Sequence, residues 1–313
     1  MGEQHDVLDQ VTEIARRHGV DPAEVKEVAG GVANRGFVLG EKLFLRVCRP
    51  GFEADLLKET HVVPAARSVG VLTPAIIQYD DTRRLADSPY VVTERVHGTE
   101  PTDLPPRLAE QLACLHQLDL HNEPPARATG TDGAPVAAGA AGAAPVVPED
   151  DWSDPWRTVD ELGSRGYLDP GTADWLTGWF TRLADRIDRS RPKVLIHGDV
   201  AAHNLLVDPA NNLRALIDWG DAAWAPRAMD FAKLPLTQVA VLLPDYVRHS
   251  QTSDSEQDLA AATLWFHLHW ALARIPSTPD PNQRHWTAPT ASRLINLLHF
   301  FTTSPPAPWT GLT

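Results

Sequence analysis

The sequence has little cysteine, no long apolar run and no export signal, and each shortage excludes a class of protein. Two cysteines, Cys48 and Cys114, cannot build a disulfide framework in 313 residues, and their apolar neighbours predict reduced core side chains. No apolar stretch reaches the roughly 18 residues of a membrane span. The first residues lack the basic start and apolar core of a secretory signal. We therefore expect a cytoplasmic protein that does not enter a membrane.

Positive charge is scarce as well. The chain carries 28 Lys and Arg against 41 Asp and Glu, a net charge of −13. Because binding to a phosphate backbone requires clustered cations, this balance disfavours nucleic acid as a partner. An acidic surface favours a small-molecule partner that is cationic, and solubility alone would produce the same charge. The length is sufficient for two lobes with a large core.

The segment 197–220 carries the most information about function. It begins HGDVAAHN (197–204) and ends LIDWG (216–220). Asp199 can accept a proton from an attacking hydroxyl, whereas Asn204 and Asp218 offer the oxygen ligands that Mg²⁺ prefers. Phosphoryl transfer requires positioning and charge neutralisation, which this set can supply. A lone His-Gly-Asp would indicate only a solvated hairpin, but the ordered Asp, Asn and Asp with apolar strands between them favours a kinase-like site.

A second candidate site lies near the N-terminus. Residues 25–47 read as strand, glycine turn, strand, turn and strand. Glycines in the first turn allow backbone amides to approach phosphates closely. The candidate nucleotide-binding residues here are Gly30, Gly31, Asn34 and Gly36. The alternative is a glycine hairpin without a ligand.

The spacing in 197–220 resembles the catalytic loop and Asp-Phe-Gly pair of kinases, with Trp219 in place of Phe. Gly198, the IDWGDA run at 217–222 and the MDFA run at 229–232 are similar to the aminoglycoside phosphotransferase and choline kinase group. The resemblance implies a two-lobed, α+β, protein-kinase-like fold. Residues 1–97 would form an N-terminal nucleotide-binding lobe, an antiparallel sheet with helices. Residues 98–313 would form a mainly helical lobe for catalysis and acceptor binding.

The same resemblance assigns roles to residues outside the motif. Arg46 takes the place of the phosphate-binding lysine, and Glu59, on a helix over 53–68, is its expected partner, with Glu53 as the alternative. A strand arginine whose charged end reaches solvent is the other interpretation of Arg46. Backbone groups near Glu94 and Val96, at the end of a strand over 89–96, would hold the adenine.

The resemblance also covers two structural residues, and it is silent on residues 120–150. Asp230 would accept hydrogen bonds from the catalytic-loop backbone, and His116 is expected to be a packed residue of a helix over 104–119. Residues 123–148, rich in Pro, Ala and Gly, predict a flexible insertion. The acids of 149–161, with two tryptophans among them, suit either contact with the acceptor or a solvated helix start.

The pattern further predicts a helix over 6–18, a helix over 171–190 with Trp175 in its core stripe, and helices over 229–301. The resemblance implies an O-phosphotransferase that uses ATP or GTP with Mg²⁺ on a hydroxyl of a small molecule. An antibiotic is the first candidate acceptor, because the overall pattern looks most like aminoglycoside phosphotransferases. Two alternatives stay open: a metabolic kinase of sugars, choline or homoserine, and a catalytically silent nucleotide-binding protein.

Overall fold

The computed structural model describes residues 2–118, 147–279, 289–303 and 305–312. Of the predicted insertion over 123–148, all but the last two residues lie outside these ranges. The helices and strands follow one another as α1 Gly2–Arg17, β1 Val25–Val28, β2 Asn34–Leu39, β3 Leu43–Cys48, α2 Glu53–Ser68, β4 Ile76–Asp80, β5 Tyr90–Glu94, α3 Leu108–Leu115, α4 Pro155–Ser164, α5 Pro170–Ala184, β6 Val194–Ile196, β7 Leu205–Val207, β8 Leu213–Leu216, β9 Ala223–Ala225, α6 Leu236–His249, α7 Glu256–Ala273 and α8 Ser292–Thr302. Within the described ranges, no helix combines the length and apolar character that crossing a membrane requires.

The chain divides into two compact units. The first contains Met1–Glu100, Leu205–Ala222 and the described ends of Leu118–Val147. The second contains Pro101–Gln117, Pro148–Asn204 and Ala223–Thr313. Asp218 therefore belongs to the first unit, whereas Asp199 and Asn204 belong to the second.

The first unit is built on an antiparallel sheet with strand order β1-β2-β3-β5-β4. Alternate residues of β2 and β3, such as Phe37 and Leu45, are fully buried and pack with Ile14 of α1. This period of two is what a sheet with one covered face requires. The register places Gly36 opposite Arg46. The strands predicted over 25–47, 76–79 and 89–96 are confirmed.

The same unit contains the hairpin of β7 and β8. Leu216, the last residue of β8, donates its backbone N–H to Leu72 at 2.7 Å. The hairpin thereby fixes the chain just before Asp218.

The second unit is mainly helical. Helix α7 begins with a capping box of Ser255 and Asp258 and is apolar on nearly all sides. Such a helix is stable only when it is buried, and Leu264, Trp265 and Phe266 are fully buried. Strands β6 and β9 pair antiparallel. Strand β6 leads directly into the loop over 197–204, and β9 leads into the segment that contains Asp230.

Several predicted boundaries were wrong. Helix α1 starts at Gly2, and α3 starts at Leu108 because the preceding prolines delay it. Helix α5 ends at Ala184, six residues before the predicted end at 190. Trp175 is 51% exposed and does not belong to the core stripe of this helix. Cys48 is buried as expected, but Cys114 is only partly buried.

Candidate active site

The loop after β6 places Asp199 and Asn204 side by side. A one-turn helix over Ala202–Asn204 brings the two together. The Asn204 Nδ2 donates to the Asp199 backbone oxygen at 2.9 Å and to its carboxylate Oδ2 at 2.8 Å. Because the amide nitrogen is committed to Asp199, the amide oxygen is the atom of Asn204 that can serve as a cation ligand.

The Asp199 carboxylate has two further positive or polar neighbours. Lys233 Nζ donates to its Oδ1 at 2.7 Å, and His203 Nε2 lies 3.5 Å from its Oδ2. Burial alone would raise the pKa of Asp199. The hydrogen bond from His203 and the charge of Lys233 outweigh burial and hold the pKa well below its usual range. Asp199 is therefore an ionised carboxylate fixed through both oxygens.

Asp230 anchors the start of the same loop. Its carboxylate is fully buried and accepts the backbone N–H groups of His197 at 2.9 Å and Gly198 at 2.7 Å. This is the arrangement that the sequence resemblance implied. His116 Nε2 lies 3.0 Å from the same carboxylate, and its Nδ1 lies 2.7 Å from the Tyr246 hydroxyl. A neutral His116 satisfies both contacts when Nε2 donates to Asp230 and Nδ1 accepts from Tyr246.

Burial and hydrogen bonding act in opposite directions on this pair. Burial would raise the pKa of Asp230, but the donors around it, His116 foremost, hold it below its ordinary value. Burial lowers the pKa of His116 in spite of the neighbouring carboxylate. The network is thus an ionised Asp230 beside a neutral imidazole, with the negative charge stabilised by three donors.

Asp218 is held out toward solvent in the first unit. Its φ is +65°, a left-handed conformation that Asp adopts more readily than most residues, and its side chain is 55% exposed. The next residue, Trp219, is buried and donates its indole N–H to Thr73 Oγ1 at 3.0 Å. The buried indole thus anchors the backbone directly after the aspartate.

Arg46 meets the predicted partner. Its guanidinium donates to both carboxylate oxygens of Glu59, with an Nη1–Oε1 distance of 3.0 Å, and its Nη1 lies 3.9 Å from Asp218 Oδ1. Burial would lower the pKa of Arg46, but Glu59 and Asp218 outweigh it and raise the pKa. Glu53 instead accepts the backbone N–H of Gly51. Arg46 is therefore not a strand residue reaching into solvent, because its side chain is only 16% exposed.

The glycine turn has the backbone freedom that the sequence suggested. Gly30 and Gly31 have φ values of +120° and +83°. A Cβ on Gly31 would lie 2.5 Å from the Asn34 backbone oxygen, and one on Gly36 would lie 2.9 Å from the Phe44 ring. Asn34 Oδ1 is buried and has no hydrogen-bond partner among the described residues. The turn is tightly built around small residues and contains one unsatisfied acceptor.

The two residues expected to contact adenine, Glu94 and Val96, differ in the hydrogen bonds of their backbones. Glu94 is tied to Ala75: its side chain accepts the Ala75 N–H at 3.0 Å, and its own N–H donates to the Ala75 oxygen at 2.9 Å. No described backbone hydrogen bond involves Val96. Adenine contact at either position stays a prediction.

The acids of 149–161 have local partners. Asp154 caps α4 by accepting the Arg157 N–H at 3.0 Å, and Lys193 Nζ lies 3.1 Å from Glu149 and 3.3 Å from Asp151. The tryptophans of this segment pack against the core of the second unit: Trp152 stacks on Phe266, and Trp156 contacts Trp265 edge-on. Local structure accounts for several of these acids and for both tryptophans, and contact with the acceptor stays a prediction.

The sequence profile of the phosphotransferase enzyme family matches residues 24–262. The chain belongs to this family. A GDP complex of an aminoglycoside 2′-phosphotransferase has 19% identity and a TM-score of 0.62, with 89% of this chain and 92% of that chain covered. The macrolide 2′-phosphotransferase of Brachybacterium faecium has 19% identity and a TM-score of 0.60, with 85% and 90% covered. A ternary complex of APH(2″)-IIa with streptomycin and ATP has 14% identity and a TM-score of 0.55, with 85% and 88% covered.

These likenesses confirm the predicted family and the α+β, protein-kinase-like fold. Among curated proteins, none matches the sequence significantly. At such low identity the solved structures show the fold of this phosphotransferase and leave its substrate to other arguments.

Sequence reasoning missed two lysines of this phosphotransferase. Lys58, buried in α2, donates to the Gly220 carbonyl oxygen and lies 3.5 Å from Asp55. Lys233 contacts Asp199 from 34 residues further along the chain. One signal was available: the chain has only five lysines, so a lysine inside an apolar segment is notable.

Proposed function

We propose that the protein transfers the terminal phosphoryl group of ATP or GTP to a hydroxyl of a small molecule, with an antibiotic as the first candidate acceptor. The observation that carries the proposal is the Asp199 carboxylate, which Asn204 and Lys233 hold through both oxygens in a chain of the phosphotransferase enzyme family. Asp199 would orient the acceptor hydroxyl and take its proton late, as the hydroxyl oxygen bonds to phosphorus and the bond to the departing nucleoside diphosphate breaks.

The residues present fit Mg²⁺. Asn204 would contribute its amide oxygen, since its nitrogen is held by Asp199, and Asp218 would contribute an exposed carboxylate oxygen. One amide and one carboxylate are a usual protein share for Mg²⁺, whose other ligands are phosphate oxygens and water. When bound, the cation would neutralise charge on the nucleotide phosphates.

We expect the nucleotide to bind to the first unit. Arg46, held by Glu59, supplies positive charge beside Asp218, and the positive-φ turn at Gly30 and Gly31 can present backbone amides to phosphates. The unsatisfied Asn34 Oδ1 would gain a partner from a ligand donor. Backbone groups near Glu94 and Val96 would hold the adenine edge, as the resemblance implies.

The acceptor is the least constrained part. The solved relatives of this fold are named for phosphorylation of aminoglycosides and of a macrolide. An antibiotic of either kind is therefore tested first, followed by sugars and amino alcohols. We expect the acceptor to be cationic, because a protein with a net charge of −13 attracts cations.

A nucleotide-consumption screen tests the proposal. ATP and GTP are each offered with Mg²⁺ and with aminoglycosides, macrolides, amino sugars and amino alcohols. Mass spectrometry must then show the added phosphate on the acceptor. Asp199→Asn should lower kcat by about 10²–10⁴ while leaving nucleotide affinity nearly unchanged. An Asp199→Asn variant with wild-type kcat would remove Asp199 from the chemistry, and wild-type protein that binds nucleotide without turning over any acceptor would favour the catalytically silent alternative.

A further inference from the structure

Lys233 lies in the segment 227–234, whose side chains form hydrogen bonds with three successive residues of the loop, 197–199. The backbone N–H groups of residues 229–232 and 234 each donate to the carbonyl oxygen three residues earlier, so the segment has close to three residues per turn. Residues three apart in such a segment lie on one side. Asp230 and Lys233 are therefore both directed to the loop, where Asp230 binds the N–H groups of 197 and 198 and Lys233 binds Asp199.

The residues between these two are apolar and buried. Phe231 and Ala232 are fully buried, and Met229, just before Asp230, is nearly so. This packing fixes the backbone from which Lys233 extends. Its side chain is 21% exposed and that of Asp199 is 23% exposed, so the pair is partly shielded from water. A shielded ion pair is stronger and less screened by salt than a surface pair.

The contact restricts the carboxylate of Asp199. Lys233 binds Oδ1 and Asn204 binds Oδ2, so a rotation of the carboxylate breaks at least one charge-assisted hydrogen bond. A carboxylate has about four lone-pair positions, which leaves room on the same oxygens for an acceptor hydroxyl. The loop over 197–204 contains no lysine or arginine of its own. The ammonium beside Asp199 is supplied by Lys233, from 34 residues further along the chain.

We propose that Lys233 is a positioning residue for phosphoryl transfer: it fixes the Asp199 carboxylate in the orientation that receives the acceptor hydroxyl. The inference rests on the proposed function. The ammonium of Lys233 also places a positive charge beside the Asp199 carboxylate, where the proposal has the acceptor hydroxyl meet the phosphoryl group. Charge at that point favours the transition state more than the bound substrates. The loss of Lys233 should therefore lower kcat more than it raises KM.

Steady-state kinetics of four proteins test the inference: wild type, Lys233→Met, Lys233→Arg and Lys233→Ala. For Lys233→Met we expect kcat to fall roughly ten- to hundredfold, the worth of one hydrogen bond between charged groups, with both KM values within about twofold of wild type. Lys233→Arg should retain more activity than Lys233→Met. Added ethylammonium should restore part of the turnover of Lys233→Ala, which a purely structural role would not produce.

Lys26→Met is the matched control. Lys26 is an exposed lysine of β1, so this variant should behave as wild type. Melting temperatures of all variants separate loss of fold from loss of chemistry, and Lys233→Arg keeps the test informative if Lys233→Met unfolds. A Lys233→Met enzyme with kcat within twofold of wild type would overturn the inference and leave the proposed function standing. Loss of kcat that neither Lys233→Arg nor ethylammonium relieves would also overturn it. A wild-type protein that phosphorylates no acceptor would overturn the proposed function and this inference with it.

Discussion

Removal of the Asp230 carboxylate should destabilise the second unit strongly. In Asp230→Ala, three donors lose their acceptor: the backbone N–H groups of His197 and Gly198, and Nε2 of His116. An unsatisfied buried donor costs about 1–3 kcal/mol, so the loss is roughly 3–6 kcal/mol if water replaces part of the bonding. Since proteins are stable by only about 5–15 kcal/mol, this is a large share of the total.

Calorimetry or thermal unfolding followed by circular dichroism measures the effect. A loss of this size should lower Tm by on the order of 10 °C. Asp230→Asn keeps the shape and one acceptor oxygen, and should fall between Asp230→Ala and wild type. Asp160→Ala, an exposed acid on α4, is the control and should not change Tm measurably. If Asp230→Ala melted within about 2 °C of wild type, a shift that corresponds to roughly 1 kcal/mol or less, the buried network would not stabilise the fold as argued.

The same carboxylate predicts a pH dependence of stability. The pKa of Asp230 is held below its ordinary value of 3.8 in the folded protein, because its donors outweigh the burial. Its contribution to the free energy of unfolding is therefore nearly complete above about pH 5 and is lost as the pH falls through the ordinary pKa toward the lower folded pKa. The stability difference between wild type and Asp230→Asn should shrink over that acid range in urea titrations. A difference that stayed constant would contradict the lowered pKa.

Three further changes probe the rest of the site. Arg46→Lys should keep part of the activity and Arg46→Met should lose most of it, measured as kcat/KM for the nucleotide. The reason is that positive charge at the phosphates contributes more than the planar shape of the guanidinium. An Arg46→Met enzyme with wild-type kinetic constants would contradict this role. Asp218→Ala should raise the Mg²⁺ concentration needed for half-maximal nucleotide binding, since it removes a charged ligand; an unchanged requirement would move the cation elsewhere. Trp219→Phe should lower the free energy of unfolding by about 1 kcal/mol in urea, because Thr73 loses the indole donor; an unchanged midpoint would show that the hydrogen bond does not contribute.

The elements that were predicted well have a strong local cause. The strands around residues 25–47 follow from alternation of apolar and polar side chains, which by itself separates the two faces of a sheet. The pairing of Arg46 with Glu59 rather than Glu53 was predicted from the resemblance, and the bidentate contact agrees with it. Asp199 and Asn204 were predicted from five-residue spacing, and one short helical turn is enough to bring them together.

The errors have a cause too. Trp175 fits the apolar spacing of α5, yet it is half exposed, because spacing shows which residues share a face and not which end of that face is covered. The acids at 149–161 suggested a field directed at a ligand. In the structure a helix cap and Lys193 engage several of them, and whether they also attract an acceptor depends on neighbours that charge counting does not identify.

The sequence by itself determined the family, the order of strands and helices and the residue types of the site, because these depend on contacts within a few residues. Only the tertiary structure decided which distant groups complete the site. His116 meets Asp230 from 114 residues away, and Lys233 meets Asp199 across 34. Contacts of that kind are set by how buried apolar surfaces pack, and packing depends on the whole core at once, so no local spacing encodes them.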